Sequence, residues 1–139
     1  MLRSKPICGA SSGLVRSVRA AAALAAVLMA PMPVGAGPED VAAGERLFRS
    51  QCSGCHSVEQ GDIRAGPTLH GVIGRPAGTL QGFDYSAAMA AADLHWTPEA
   101  LDTFLTDPAG TVPGTYMVFW GLEAPQRRQV IAYLLEATR

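Results

Sequence analysis

Beyond residue 36 this 139-residue chain contains no lysine. Its one lysine, Lys5, sits with Arg3, Arg16 and Arg19 near the N-terminus. Residues 37–139 carry seven arginines against twelve acids, a formal charge of −5. That balance leaves no basic patch, so nucleic acid and anionic membrane surfaces are poor candidate partners. Long apolar runs are missing as well. The run at residues 20–30 is 11 residues long and is followed by Pro31 and Pro33. A bilayer span needs about 20 apolar residues, so stable membrane insertion is not expected. No strand-like alternation of any length appears, and no internal repeat, which points away from sheet and repeat architectures.

What is present begins with the first 36 residues. A basic lead, the apolar run, "PMP" and the small residues "VGA" (34–36) form the pattern of a secretory signal cleaved after Ala36. An uncleaved anchor is the rival reading. The division is therefore a leader at 1–36 and one domain at 37–139, exported to the periplasm. A domain of 103 residues builds only a modest core, which a cofactor at its centre would enlarge. Cys8 falls in the leader, leaving Cys52 and Cys55 as the only thiols of the domain.

The domain reads as all-α, with helices separated by turn-rich loops. Residues 38–52 open with a first-turn proline and two acids, and Val41, Gly44 or Glu45, Phe48 and Cys52 share a face. Glycines at 61, 66, 71, 74, 78 and 82, with Pro67 and Pro76, leave no room for a long regular element. Short helical turns fit 86–92. A clear helix covers 97–106, capped by Thr97 with Pro98 and Glu99 behind it, and "DPAG" and "VPG" stop it. The last helix covers 125–138, with Ile131, Leu134, Leu135 and the edge of Val130 facing inward. An irregular middle of this length needs something to order it, and a large buried cofactor would do so.

The stretch "CSGCH" (52–56) supplies the chemistry. A structural zinc site needs four ligands in two spaced pairs, but His56 abuts Cys55, while His70 and His95 are scattered. A redox thiol pair belongs after a strand in a βαβ unit, which is absent. A disulfide leaves the adjacent histidine without a role. Cys-Xaa-Xaa-Cys-His is the haem c attachment motif: two thiols on one turn form thioethers with the porphyrin vinyls, and His56 becomes the proximal iron ligand. Of the domain's two methionines, Met89 sits in the alanine-rich "SAAMAAA" and reads as core. Met117, in "VPGTYMVFWG", is the candidate for the sixth position, where a thioether favours reduced iron.

The blocks "GERLFRSQCSGCHSVEQGD", "GPTLHGVIGRPAGTLQGFDYSAA", "LHWTPEALDTFL" and "PGTYMVFWGL…RRQVIAYLLEAT" resemble consecutive blocks of the class I cytochrome c family, closest to its mitochondrial and bacterial c2-type branch. The resemblance covers about residues 40–138. It implies crossed N- and C-terminal helices around one covalently bound haem c, with Gly44 and Phe48 meeting the C-terminal helix near Tyr133. It implies that the carbonyl of Pro67 receives the other ring nitrogen of His56, and that Arg75, Tyr85, Ser86 and Trp96 hold the haem propionates. Phe104, Thr115 and Phe119 would line the methionine side.

The resemblance also implies a function: an electron carrier rather than an enzyme, monomeric, passing single electrons between a donor and an acceptor. A periplasmic dehydrogenase and a terminal oxidase are candidate partners, and the chain could serve one exported dehydrogenase alone. The alternative is a haem-based ligand-binding protein or peroxidase with a labile sixth ligand. Departures from the family are informative. Its mitochondrial-type members ring the haem edge with lysines, whereas this chain has Tyr116 before Met117 and Trp120 after Phe119, an aromatic docking patch in place of a charged one. Phe104 stands where tyrosine is common and Met89 where asparagine is common, which removes polar groups near Met117.

Overall fold

The computed structural model describes residues 37–138. The leader expected at 1–36 and the terminal Arg139 lie outside the described residues. Five helices follow in order: α1 (Pro38–Gln51), α2 (Ala87–Ala90), α3 (Pro98–Thr106), α4 (Pro108–Thr111) and α5 (Ala124–Ala137). Among the described residues there is no strand, only one antiparallel bridge between Pro76 and His95.

Each helix start has a local cause. Pro38 takes the first turn of α1 with Glu39 and Asp40 beside it, where acids complement the positive end of the helix dipole. The Ser86 hydroxyl accepts from Met89 N at 3.1 Å and starts α2. The Thr97 hydroxyl accepts from Ala100 N at 3.1 Å and starts α3. At α5, Glu123 and Gln126 form a reciprocal capping box, with Glu123 N donating to Gln126 Oε1 at 3.1 Å.

Two sequence expectations need correction. "DPAG" was expected only to stop the 97–106 helix, but it also begins α4. The Asp107 carboxylate, just past the end of α3, accepts from Gly110 N at 3.0 Å. Val130 was expected to turn only its edge inward, and the whole side chain is buried, at 1% exposed among the most deeply buried described. The expected face mistook a broad buried surface for a narrow one, because α5 packs on both α1 and α3.

α1 and α5 form the largest helix–helix contact, as the resemblance implied. Gly44 makes it possible. A Cβ there would run into the Gln129 carbonyl oxygen, and would lie 2.6 Å from its carbon and 2.9 Å from Tyr133 Cβ. Phe48 and Tyr133 stack beside this crossing with ring centroids 5.4 Å apart. α3 joins α5 through Arg127, whose Nε donates to Asp102 Oδ1 at 2.8 Å and whose Nη1 donates to Leu122 O at 2.8 Å. The buried core runs from Phe48 through Val72, Trp96 and Phe104 to Val130 and Leu134. Cys52, Tyr85, Met117 and Phe119 pack half-buried against that one core.

Candidate functional site

The proximal side is built where α1 ends. Cys52 N donates to Phe48 O at 2.8 Å, and His56 N and Cys55 N donate to Cys52 O at 2.8 and 3.0 Å. This tight turn presents Cys52, Cys55 and His56 together. Both thiols are free, Cys52 half-buried and Cys55 exposed. Burial, helped by the neighbouring Cys55, pushes the Cys52 thiol up to about 11.

His56 Nδ1 lies 2.8 Å from Pro67 O. A carbonyl only accepts, so Nδ1 carries the proton and Nε2 holds the lone pair. Burial lowers the His56 pKa and the Pro67 bond opposes it in part, which favours the neutral imidazole a metal requires. Gly66 completes the seat. A Cβ there would strike the imidazole, falling 2.8 Å from Nδ1 and 3.0 Å from Nε2. Sequence reasoning singled out Pro67 but missed Gly66, and the one available signal was the glycine directly before that proline. Arg64 was missed too: its Nη1 donates to Ser53 O at 2.6 Å, tying a later loop onto the Cys–His turn.

The rim is held by a short backbone lattice. Gly74 N donates to Trp96 O and Trp96 N to Arg75 O, both at 3.0 Å, and Ala77 N donates to Leu94 O at 2.8 Å. These bonds set Arg75 beside Trp96. The Arg75 guanidinium donates to His70 O at 3.0 Å and Thr68 O at 3.1 Å. It is half-buried, and among the described residues no carboxylate pairs with it. Burial lowers its pKa while Tyr85 raises it; the Tyr85 phenol is itself pushed up by burial, against Arg75 and a hydrogen bond to the Leu80 backbone. Ser86 is buried at the cap of α2, and Trp96 meets Phe104 edge-on with centroids 5.0 Å apart. Thr115, Met117 and Phe119 sit half-buried on one loop, where Met117 N donates to Thr115 Oγ1 at 3.3 Å.

These groups fit a haem. A half-buried guanidinium without a protein carboxylate suits a propionate, and a tautomer-locked imidazole and a thioether suit iron. A closed zinc site does not fit, since among the described residues no three His, Cys, Asp or Glu side chains converge to hold a metal ion. A hollow between α3 and α5, lined by Asp102, Arg127 and Ile131 among others, contains none of the candidate residues.

Comparison with known proteins agrees. The cytochrome c family model matches residues 41–138. "Cytochrome c 2.1" of Caenorhabditis elegans is 43% identical over 107 residues, covering 76% of this chain and 93% of that protein. Cytochrome c of Nigella damascena is 42% identical over 101 residues, 71% of this chain and 91% of that protein. "Cytochrome c-type cyt cy" of Rhodobacter capsulatus is 50% identical over 96 residues, 68% of this chain but 48% of that longer protein. One covalently attached haem c is the cofactor these matches imply, with Cys52 and Cys55 at the attachment spacing. The chain is an electron carrier rather than an enzyme, acts with redox partners, and belongs to the class I cytochrome c family.

Proposed function

We propose that this chain is a periplasmic shuttle for single electrons, exported by residues 1–36 and working as a monomer between a donor and an acceptor, for which a dehydrogenase and a terminal oxidase are the candidate classes. The observation that carries the reading is the His56–Pro67 bond, which commits Nδ1 and leaves Nε2 as the ring's metal-binding atom. Cys52 and Cys55 would hold the haem through thioethers, and His56 and Met117 would be the axial ligands. When bound, haem c supplies a Fe(II)/Fe(III) couple whose potential His/Met ligation raises. Arg75, Tyr85, Ser86 and Trp96 would hold the propionates, and Phe104, Thr115 and Phe119 would keep water from Met117. Pro67 orients the proximal ring and keeps it basic. A nearby redox partner then needs no bound substrate from this chain, only a route to the haem edge. The periplasmic assignment draws on the leader pattern; in addition, among the described residues no helix is long and apolar enough to cross a membrane.

The test is the visible spectrum of the haem-loaded protein, oxidised and reduced, with and without carbon monoxide. A low-spin spectrum with the weak sulfur-to-iron band, indifferent to carbon monoxide and lost in Met117→Ala, is expected. A high-spin spectrum or ready carbon monoxide binding in the wild type would refute the ligand pair.

A further inference from the structure

The loop that follows the Cys–His turn folds back over it. Gly66 N donates to Cys55 O at 2.8 Å, and one residue on, Pro67 O accepts from His56 Nδ1. Pro67 is held from its far side, where Leu69 N donates to Ser57 O at 2.8 Å and Thr68 Oγ1 to Glu59 O at 2.6 Å. On its near side stands Arg64. The backbone N of Arg64 donates to Gly66 O at 3.0 Å. Its Nη1 donates to Ser53 O at 2.6 Å and reaches His56 O at 3.4 Å. One guanidinium therefore spans the backbone from a residue between the two cysteines to the histidine itself.

Asp62 aims that guanidinium. Arg64 Nε and Nη2 both donate to Asp62 Oδ2, at 3.1 and 2.8 Å, which leaves Nη1 for the turn. Hydrogen bonds from Arg64 and from the Ser57 side chain hold the Asp62 carboxyl below its ordinary range, so the acceptor is charged at neutral pH. The task suits arginine. A rigid planar fork holds a carboxylate on one edge and carbonyls on another, whereas a lysine ammonium is a point charge on a flexible stem. Stability is not what the pair supplies, because its side chains are 43% and 38% exposed and such pairs contribute little to folding. What it supplies is placement. The bond from Nδ1 to Pro67 O sets the orientation and basicity of the ring, and it depends on where the loop carrying that carbonyl sits.

We propose that Arg64, aimed by Asp62, is a positioning residue for His56: it holds residues 64–67 against the Cys–His turn and so keeps Pro67 O on Nδ1. This rests on the reading of His56 as the proximal ligand. Arg64 acts through Pro67 rather than on the ring. Releasing it loosens the loop and weakens the Nδ1 bond, which makes the imidazole a poorer donor and favours reduced iron.

The test replaces the pair together, Asp62→Asn with Arg64→Gln, which removes one charge of each sign and leaves the net charge of the domain unchanged. NMR of the reduced holoprotein follows solvent exchange of the His56 Nδ1 proton, and voltammetry follows the potential. Exchange is expected to quicken about tenfold or more. The ratio of reduced to oxidised protein at a fixed potential is expected to rise about threefold, a shift of roughly 30 mV at 59 mV per tenfold. Made on top of Gly66→Ala, which already unseats the ring, the same pair of changes should add no further shift. A paired variant with wild-type exchange and potential overturns the proposal. A full second shift in the Gly66→Ala background also overturns it, because the charges would then act on the iron directly. So does a loss of thermal stability with the potential unmoved, the mark of a merely structural pair. A reduced wild type whose His56 ring protons lack the large shift of a porphyrin-bound ligand would instead bring down His56 as the proximal ligand, and this role with it.

Discussion

Replacing Gly44 with alanine sets two effects against each other. Alanine in a helix interior is favoured over glycine by about 1 kcal/mol, so an α1 that stood alone would gain stability. In this structure the new methyl meets α5. Ordinary contact begins near 3.4 Å, and the Cβ would lie 2.6 Å from the Gln129 carbonyl carbon and closer to its oxygen. The helices must part by about 0.8 Å or more, and the obstruction is backbone, which cannot rotate away. Parting them loosens the Phe48–Tyr133 pair and the packing around Val130 and Leu134. Overpacking of this kind costs up to about 3 kcal/mol, leaving a net loss of about 2 kcal/mol. For a domain of this size that lowers Tm by about 10 °C. Thermal unfolding of the holoprotein, followed by helical circular dichroism, measures it. Adding Tyr133→Ala to Gly44→Ala should fail to restore stability. A Gly44→Ala protein as stable as the wild type would refute the reasoning, because helix propensity would then have outweighed the crossing.

Gly66→Ala should push the His56 ring off its seat and break the bond to Pro67 O. Loss of that bond makes the imidazole a weaker donor to oxidised iron. If about 1 kcal/mol of oxidised-state stabilisation goes, voltammetry should show the potential rising by roughly 40 mV; an unchanged potential would mean the ring is held elsewhere. Tyr85 and Tyr133 both have phenols pushed above their ordinary value of 10 by burial. Their contribution to stability is complete below pH 10 and is lost as pH rises through the raised values, because the folded state resists the phenolate. Denaturant unfolding across that range should show stability flat below pH 10 and falling above it, less steeply in Tyr85→Phe. Asp102→Asn should cost about 1 kcal/mol, a low figure because the carboxylate is half-exposed and screened, and should lower Tm by about 5 °C. No change on calorimetry would show that Leu122 O alone fixes Arg127.

The legible parts of the sequence were those where one residue has one job. Pro38 and Thr97 announced α1 and α3, and Cys52, Cys55 and His56 announced the attachment turn. Less legible were residues with two jobs. Asp107 lies beyond the end of α3 and caps α4, so a terminator hid an initiator. Val130 lies on a helix that contacts two others, so a single stripe could not describe its burial. The Pro76–His95 bridge joins single residues and leaves no alternation to read. Gly66 went unseen because its role is the absence of a side chain under His56, and only spatial placement reveals that. Arg75 was legible through resemblance alone. The structure adds the physical reason, a half-buried charge whose nearest partners are carbonyls.

The crossing at Gly44 also sets an order of events. Gly44 and Gln129 are far apart along the chain, so bringing α1 against α5 closes nearly the whole domain into one loop. That closure costs about 4 kcal/mol of chain entropy before any contact repays it. The attachment turn at the end of α1 needs none of it, since its bonds run over only three or four residues. A chain emerging from its N-terminal side can therefore form the Cys52–His56 turn while α5 is still distant. Until the core assembles, the Cys52 thiol, half-buried in the finished fold, is as open to chemistry as the Cys55 thiol, which stays exposed throughout.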